Sequence, residues 1–500
     1  MPIAAHPAAD DLTTLTSIVG AFPGRRVLCV GDVMLDRFIY GETKRISPEA
    51  SVPILRITRE SSELGGAGNV VRNIAALGGG CAFVSVIGDD RAGTEISRHF
   101  GRLPHVEPYV RVSAERETTV KTRFVSDDNG HNLLRADRET TTPLTPKDAV
   151  DLKQNAVAQV AEVDAVILSD YAKGVLTGDI AAAVIAAARA AGKPVIVDPK
   201  GSDYSRYAGA NVITPNRSEL AEATDMPVDD DAGVVAAART VRARTSADAI
   251  LVTRSKRGMT LVASNGAIYD FAAEAREVAD VTGAGDTVVA TLALALAAGA
   301  SLPAATRLAN IAAGIVVGRR GTAVVTAQDI GAALLRSGLS DAEQKISSRD
   351  SAIARANGWR ERGLKVGFTN GCFDLLHPGH ISLLRQARAA CDRLIVGLNS
   401  DASVRRLKGE TRPIQSEAAR AAVMASLSDV DLVVIFGEDT PQALVEAVRP
   451  DVLVKGADYK RENVVGGDFV ESYGGKVVLA EVVPSYSTTA TVAAMKAARL

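Results

Sequence analysis

Residues Asp280–Thr287 read DVTGAGDT, and the stretch from Thr287 to Thr306 that follows carries no charged residue. Glycines in the turn leave backbone N–H groups accessible, so the turn and the apolar run together predict a helix whose N-terminus faces a ligand. The run is also long enough to cross a membrane. Its Ala, Thr and Leu composition, with Gly299 and Pro303 near its end, instead favours a helix buried against a sheet.

Short apolar strands alternate with Ala-rich helical stretches on both sides of this turn. This alternation predicts a doubly wound α/β fold, a parallel sheet with helices on both faces. The predicted strands of the first half are Val27–Val30, Ala82–Val86, Ala165–Leu168, Val195–Val197, Val212–Ile213 and Ala249–Val252, and its predicted helices include Asp179–Ala191 and Ala232–Ala243. Two stretches, from about Leu35 to Arg59 and from Val110 to Arg138, alternate apolar and polar residues, which predicts antiparallel strands forming a lid outside the main sheet.

The chain has 500 residues, more than one hydrophobic core usually serves, so at least two domains are expected. The polar, charged segment 339–363, which could include a short helix, is predicted to be a linker between a domain at 1–338 and a domain at 364–500. After it a fresh alternation begins with strand Val366–Thr369, helix His380–Ala390 and strand Leu394–Leu398. It continues to a strand at Val452–Val454, which predicts a second, smaller Rossmann-like domain.

Charge and cysteine content exclude several classes of protein. Lys and Arg number 57 against 59 Asp and Glu, a balance that argues against a nucleic-acid binder. The four cysteines show no metal-ligand spacing, and the N-terminus lacks the basic and apolar regions of a signal peptide. We therefore expect a cytoplasmic protein with small-molecule substrates and neither nucleic-acid nor membrane partners.

The DVTGAGDT turn predicts phosphoryl transfer. N–H groups at Gly283, Ala284 and Gly285 would form an anion hole for the charge on a transferring phosphoryl group, and Asp286 would accept a proton from the attacking hydroxyl. The alternative is a capped helix without chemistry, which the tetrapeptide alone leaves equally open.

Other motifs follow predicted strands, where open α/β sheets collect their ligands. Each taken alone would fit helix capping or a solvated charge. They comprise Gly31–Asp36 (GDVMLD), Ser169–Gly174 (SDYAKG), Asp198–Lys200 (DPK) and Thr214–Glu219 (TPNRSE), and a further glycine-rich turn, Gly65–Asn69 (GGAGN), opens a helix.

In this order the motifs resemble the ribokinase-like (PfkB) carbohydrate kinases over roughly residues 25–335. The resemblance implies that Asp286 is the catalytic base and that Glu219, with Asn216, helps indirectly to organise Mg²⁺ and the nucleotide phosphates. It places sugar-binding positions at Asp36, Gly65, Gly66, Asn69 and Lys173, and ATP-binding positions at Asn216, Arg217, Ser218, Glu219, Thr253 and Gly258. Lids of this family often pair between subunits, which implies a homodimer. No Walker A motif is present, so the phosphate site is not a P-loop.

A second chemical motif, TNGCFDLLHPGH, spans Thr369–His380. The spacing of His377 and His380 could suit zinc, but no third ligand follows at a sensible distance. Two imidazoles at a helix N-terminus fit better with stabilising charge on a triphosphate during attack at the α-phosphorus. Two surface histidines without a function remain the plainer alternative.

Residues from about 364 to 500 resemble the cytidylyltransferase-like nucleotidyltransferases. The resemblance implies that His377 and His380 stabilise the pentacovalent α-phosphorus. It assigns nucleotide binding to Thr369, Asn370, Gly371, Cys372, Phe373, Lys408, Arg412, Asp458, Ser487, Thr488 and Thr489.

The whole chain resembles the bifunctional heptose-phosphate kinases and adenylyltransferases of Gram-negative bacteria, which make ADP-heptose for the lipopolysaccharide core. This resemblance implies ATP as co-substrate in both steps, together with Mg²⁺. Candidate cations for a phosphate already on the sugar are Arg45, Lys121, Arg123 and Lys173. Three alternatives stay open: another sugar or nucleotide, loss of one activity, and a non-enzymatic binding protein.

Overall fold

The computed structural model describes residues 12–127, 130–274, 280–319, 321–456 and 460–481, except for the side chains of 338–343. The chain divides into two units between Leu334 and Leu335. Each unit is built around its own sheet, so the predicted α/β class is confirmed.

The first unit contains two sheets. Its strands are β1 (Arg26–Gly31), β2 (Val33–Ile46), β3 (Pro53–Gly66), β4 (Gly80–Gly88), β5 (Val106–Ser113), β6 (Val120–Ser126), β7 (Asn132–Arg138), β8 (Ala165–Ser169), β9 (Val195–Asp198), β10 (Val212–Ile213), β11 (Ala249–Thr253), β12 (Met259–Ala263) and β13 (Ile268–Phe271). Its helices are α1 (Leu12–Gly20), α2 (Ala67–Ala76), α3 (Arg91–Phe100), α4 (Pro146–Gln159), α5 (Ile180–Ala190), α6 (Arg217–Thr224), α7 (Asp231–Thr245), α8 (Ala284–Ala297) and α9 (Leu302–Val317). A further helix, α10 (Ala327–Lys345), runs through the division.

The main sheet has the order β13-β12-β11-β10-β9-β8-β1-β4-β5. The seven strands from β11 to β5 in this order are parallel to their neighbours. Strands β12 and β13 add an antiparallel hairpin next to β11. Alternate residues of β1 enter different cores, with Cys29 packed on the α2 and α8 side and Leu28 on the α4 and α5 side. A strand buried on both faces reads as a continuous apolar run, which is why these strands were evident from sequence.

The lid forms a separate sheet with the order β3-β2-β6-β7. The prediction of strands outside the main sheet is confirmed, with two corrections. Strands β2 and β6 pair in parallel rather than antiparallel. Residues Val110–Ser113 belong to β5 and so to the main sheet, because β5 pairs with β4 along its length.

The uncharged stretch after Asp286 forms parts of two buried helices. Helix α8 ends at Ala297, the chain turns at Gly299 with φ +85°, and α9 begins at Leu302 after the Ser301 cap. All residues from Asp286 to Ala295 are buried, so the expected buried helix is confirmed for α8, but the stretch forms parts of two helices and not one. Across the described ranges no helix combines the length and apolarity needed to span a bilayer.

The second unit has one parallel sheet with the order β16-β15-β14-β17-β18. Its strands are β14 (Val366–Gly371), β15 (Arg393–Asn399), β16 (Leu432–Phe436), β17 (Val452–Gly456) and β18 (Lys476–Ala480). Its helices are α11 (Arg349–Glu361), α12 (Pro378–Ala389), α13 (Asp401–Lys408), α14 (Glu417–Ala425), α15 (Gln442–Val448) and α16 (Gly467–Ser472). Strand β18 extends the sheet beyond the last strand expected from sequence.

The predicted linker 339–363 is largely helical. Within it, α11 buries Ala352 and Ala356 in the core that also contains Phe368 and Leu444. Two small residues four apart on a polar helix give a narrow apolar stripe, which is why the segment resembled a linker in sequence. The second unit therefore begins before residue 364.

Candidate active sites

The first candidate site lies at the carboxyl edge of the main sheet, where α8 begins. Asp286 is in the first turn of α8 and is only 6% exposed. The Asn69 side-chain amide donates to its Oδ2 at 2.7 Å, and the Tyr171 hydroxyl donates to its Oδ1 at 2.6 Å. Both carboxylate oxygens are thus oriented by donors from α2 and from the loop after β8.

Burial raises the pKa of Asp286 to about 6, and the Asp36 carboxylate adds to this rise. The hydrogen bonds from Tyr171 and Asn69, together with the Arg72 cation, oppose it. A carboxylate with a pKa near 6 is ionised at neutral pH but is a stronger base than an exposed aspartate. The site therefore suits proton abstraction from a hydroxyl.

The predicted anion hole occupies the start of α8. Gly283 caps this helix with φ +78°, and a Cβ there would come within 2.6 Å of the Asn69 Nδ2 atom. A Cβ at Gly285 would meet nothing within 4 Å. The exposed backbone at Gly285 thus borders open space, whereas the Ala284 N–H donates to the Val281 carbonyl at 3.3 Å, a bond that a bound phosphoryl group would have to replace.

Four of the residues predicted to bind the sugar lie on β2, β3 and α2, whereas the fifth, Lys173, lies in the loop after β8. Asp36 is 4% exposed and accepts from Arg123 Nη1 at 2.6 Å. A Cβ at Gly65 would lie 2.3 Å from Asp36 Oδ2, so this glycine lets β3 approach the carboxylate. Gly66 caps α2 with φ +56° and leads directly to Asn69. Lys173 forms an ion pair with Glu139 at 2.9 Å.

Most of the residues predicted to bind ATP lie at the N-terminus of helix α6. Asn216 and Glu219 make a reciprocal capping box on α6, in which each side chain accepts from the other's backbone N–H at 3.0 Å. Lys200 also donates to Glu219 Oε1 at 2.9 Å. Arg217 donates to the Val228 carbonyl, whereas Ser218 is exposed.

Thr253 lies beside this capping box. It ends β11 and forms a bridge with Asn216, which brings the two predicted ATP positions together. Gly258 has φ +80°, and a Cβ there would come within 1.9 Å of the Phe271 carbonyl oxygen. This glycine is therefore required by the close approach of the loop to β13.

The second candidate site lies where α12 begins in the second unit. His377 caps α12, and the ring centroids of His377 and His380 are 3.8 Å apart in a stacked arrangement. Burial and the neighbouring His377 lower the pKa of His380 to about 4, and the Leu375 carbonyl opposes only part of this shift. Burial also lowers the pKa of His377. Both imidazoles are therefore neutral at pH 7.

Buried polar atoms around the histidines lack hydrogen-bond partners. Within the described part of the chain these atoms are Thr369 Oγ1, Asn370 Oδ1, His377 Nδ1 and His380 Nδ1. Such groups are costly unless a ligand or water satisfies them. Their convergence at one strand end therefore marks a binding site.

The turn between β14 and α12 is tightly shaped. Phe373 has φ +44°, a rare conformation for a bulky residue, and its ring packs edge-on against His380 at 5.2 Å. A Cβ at Gly371 would lie 3.1 Å from the Phe373 ring. Cys372 is partly exposed, and its Sγ lies 3.9 Å from the Asn399 side-chain oxygen.

Comparison with known proteins assigns both units. Residues 25–328 match the pfkB family carbohydrate kinases, and residues 368–497 match the cytidylyltransferase-like family. The chain is 58% identical to the Bifunctional protein HldE of Rhodospirillum rubrum, with 97% of each chain covered. It is 57% identical to the Bifunctional protein HldE of Paramagnetospirillum magneticum, covering 97% of this chain and 99% of that protein.

The chain belongs to the HldE family. It is accordingly an enzyme with a sugar kinase domain and a nucleotidyltransferase domain. A crystal structure of Escherichia coli phosphofructokinase-2 with potassium supports the fold of the first unit alone. It has a TM-score of 0.52 and 24% identity, and it covers 62% of this chain and 98% of that one.

Two residues that sequence reasoning missed shape the kinase site of this HldE-family chain. Asp32, which is 1% exposed, accepts backbone N–H groups from Tyr171, Lys173 and Val175. Tyr171 in turn donates to Asp286. Asp32 lies in the motif GDVMLD and Tyr171 in the motif SDYAKG. Neither motif shows by itself that Asp32 holds the loop in which Tyr171 lies.

Arg420 has a comparable role in the transferase unit. Its side chain is fully buried, and Nη1 donates to the carbonyls of Cys372 at 2.6 Å and Asn399 at 2.9 Å. Nη2 pairs with Asp401 at 2.7 Å, and Nε donates to the Gln415 carbonyl at 3.1 Å. One guanidinium thus ties the TNGCFD turn to the ends of β15 and α14.

The two cationic residues predicted to bind the nucleotide in the transferase unit of this HldE-family chain have different surroundings. Arg412 donates through Nε to the buried Asp374 carboxylate at 2.5 Å, whereas Lys408 is exposed. Asp374 also accepts from the backbone of Ile414 and Gln415, so it fixes the basic loop beside the turn. The remaining predicted nucleotide positions, Asp458, Ser487, Thr488 and Thr489, lie outside the described residues.

Proposed function

We propose that the chain catalyses two successive steps of ADP-heptose biosynthesis, the pathway to the lipopolysaccharide core precursor. The first unit transfers the γ-phosphoryl group of ATP to O1 of D-glycero-β-D-manno-heptose 7-phosphate. The second unit joins the adenylyl group of another ATP to the heptose 1-phosphate and releases pyrophosphate. The near-full-length similarity to HldE proteins, in a chain that retains both sites, is the observation that carries this proposal.

In the kinase step, Asp286 accepts the proton of the O1 hydroxyl as that oxygen attacks the γ-phosphorus. Its two donors, Tyr171 and Asn69, orient the carboxylate toward the substrate. The N–H groups at Gly283, Ala284 and Gly285 stabilise the charge on the equatorial oxygens, and the positive end of α8 adds to this effect. Asp36 and Asn69 orient the sugar.

Mg²⁺ fits the nucleotide side as an ion held mainly by phosphates and water. In the described part of the chain no three acidic, histidine or cysteine side chains are grouped as metal ligands. Burial raises the pKa of Asp198 well above its usual range, and the nearby Asp286 and Glu219 carboxylates raise it further. A cation there would relieve this repulsion, and Asp198 and Glu219 are the residues that would hold it. Bound Mg²⁺ would neutralise charge on the ATP phosphates.

In the transferase step, an oxygen of the sugar 1-phosphate attacks the α-phosphorus of ATP. His377 and His380 are neutral before ATP binds, and each can donate a ring N–H to the phosphate oxygens. The triphosphate charge then raises their pKa values and strengthens this donation. Thr369 and Asn370 offer the buried polar atoms that complete the cradle.

Separate assays of the two reactions test this proposal. Asp286→Asn should lower phosphorylation of heptose 7-phosphate by roughly 10²- to 10⁴-fold, the usual contribution of a general base. It should leave adenylyl transfer to supplied heptose 1-phosphate intact. His380→Ala should do the converse. Near wild-type kinase activity in Asp286→Asn would refute the assigned base, and a preference for another nucleotide or sugar would replace the assigned substrates.

Two further expectations belong to this proposal. The four cysteines are free, which supports a reducing, cytoplasmic location. The lid strands expose apolar residues, among them Ile57 at 52% and Leu134 at 60%, which supports the predicted homodimer through the lid.

A further inference from the structure

The lid brings a lysine next to the sugar-binding aspartate. Strands β2 and β6 pair so that Asp36 lies opposite Lys121, and Arg123, two residues further on β6, reaches the Asp36 carboxylate. Residues two apart on a strand point to the same face, so Lys121 lies on the Asp36 side of the lid. The Asp36 carboxylate is close enough to both side chains to add to the raised pKa of Asp286 and to oppose the lowering of the pKa of Lys121 by burial.

The four cationic residues that the sequence suggests for binding a sugar phosphate have different surroundings in the structure. Arg45 is exposed and follows Asp36 by nine residues on β2, which places it about 30 Å along the strand. Arg123 is bound to Asp36, and Lys173 is bound to Glu139. Among the described residues, Lys121 has neither a hydrogen bond nor an ion pair through its side chain.

The surroundings of Lys121 favour an anionic ligand. The side chain is partly buried, and this burial lowers its pKa. The charged groups near it are Asp137, Asp36, Arg135 and Lys173. Both of these acids are already engaged, since Asp36 accepts from Arg123 and Asp137 pairs with Arg135 at 3.1 Å. A desolvated ammonium without a partner is costly, and a phosphate group would satisfy it.

We propose that Lys121 binds the phosphate that the sugar carries before the kinase reaction. This inference rests on the proposed function. A sugar whose reacting hydroxyl meets Asp286 and whose body meets Asp36 would extend its far end toward Lys121. Lys121 would then confer the preference for a phosphorylated sugar over the free sugar.

Kinetics of Lys121→Met with two sugars test the proposal. We expect KM for heptose 7-phosphate to rise roughly 10- to 100-fold, as for a lost charged hydrogen bond. The kcat/KM for the same heptose without its phosphate should not change, and neither should KM for ATP. Lys121→Arg should recover part of the loss. Lys44→Met, on an exposed lysine of the same lid, is the matched control and should behave as wild type.

The outcomes that would contradict the Lys121 assignment differ from the one that would contradict the proposed function. Equal losses with both sugars, an unchanged KM for the phosphorylated sugar or a raised KM for ATP would overturn the Lys121 assignment. The melting temperature of Lys121→Met should match wild type, because the lysine has no partner to lose. If the wild-type chain does not phosphorylate heptose 7-phosphate at all, the proposed function itself fails, whatever the variant does.

Discussion

At the scale of single residues, the surroundings of Asp286, the proposed base of the kinase reaction, set its strength as a base. Burial favours the protonated carboxyl, whereas Tyr171 and Asn69 favour the carboxylate by donating to it. The result is a pKa of about 6, so kinase activity should fall as the pH drops through 6 and Asp286 becomes protonated.

Tyr171→Phe should shift this acid limb to higher pH. Loss of the hydroxyl removes a donor that stabilises the carboxylate, so the pKa of Asp286 rises further, by roughly one unit. The pH profile of kcat/KM for the kinase reaction measures the shift. Tyr109→Phe, whose hydroxyl contacts only the exposed Glu107, is the control. An unchanged acid limb would show that Tyr171 does not tune the base.

At the scale of elements, the second unit depends on a residue that holds three chain segments together. Arg420 projects from α14 and donates to carbonyls after β14, at the end of β15 and before α14 itself. The TNGCFD turn therefore owes its position partly to a helix about 50 residues away in sequence.

Arg420→Met should destabilise the second unit by about 3 kcal/mol, because it leaves buried carbonyl oxygens and Asp401 without their donor. Adenylyl transfer should fall with it, and kinase activity should not. Urea unfolding followed by circular dichroism, together with both activity assays, measures these effects. Arg355→Met removes an exposed arginine on α11 as a control. A stable variant with normal adenylyl transfer would contradict the role given to Arg420.

The elements also show what sequence could predict. Parallel strands were evident because both faces are buried, and the motif turns were evident because glycine and helix-capping residues have local signatures. The roles of Tyr171 and Arg420 could not be predicted, because their partners are distant in the chain. Tyr171, for example, donates to a residue 115 positions away. The place of α11 in the core of the second unit could not be predicted, because this helix buries only two alanines fully.

At the scale of the whole molecule, each unit has its own core and its own candidate site. Calorimetry of the full-length chain should therefore show two transitions. Heptose 7-phosphate at 100 times its dissociation constant should stabilise one unit by about 2.7 kcal/mol and raise only that transition, by several degrees. The transition lowered by Arg420→Met should be the other one. A single transition that responds to both changes would contradict this independence.

The Asn216–Glu219 capping box bears on how distant descendants of this chain should be judged. Because these two side chains begin a helix, selection for folding alone would preserve them after catalysis had been lost. Asp286 is different, because burial of its charge is unfavourable and the proposed function, rather than the start of a helix, accounts for its presence. A pseudoenzyme derived from this lineage should therefore keep the asparagine and glutamate while its aspartate drifts, and a survey of inactive paralogues should weigh the latter position most heavily.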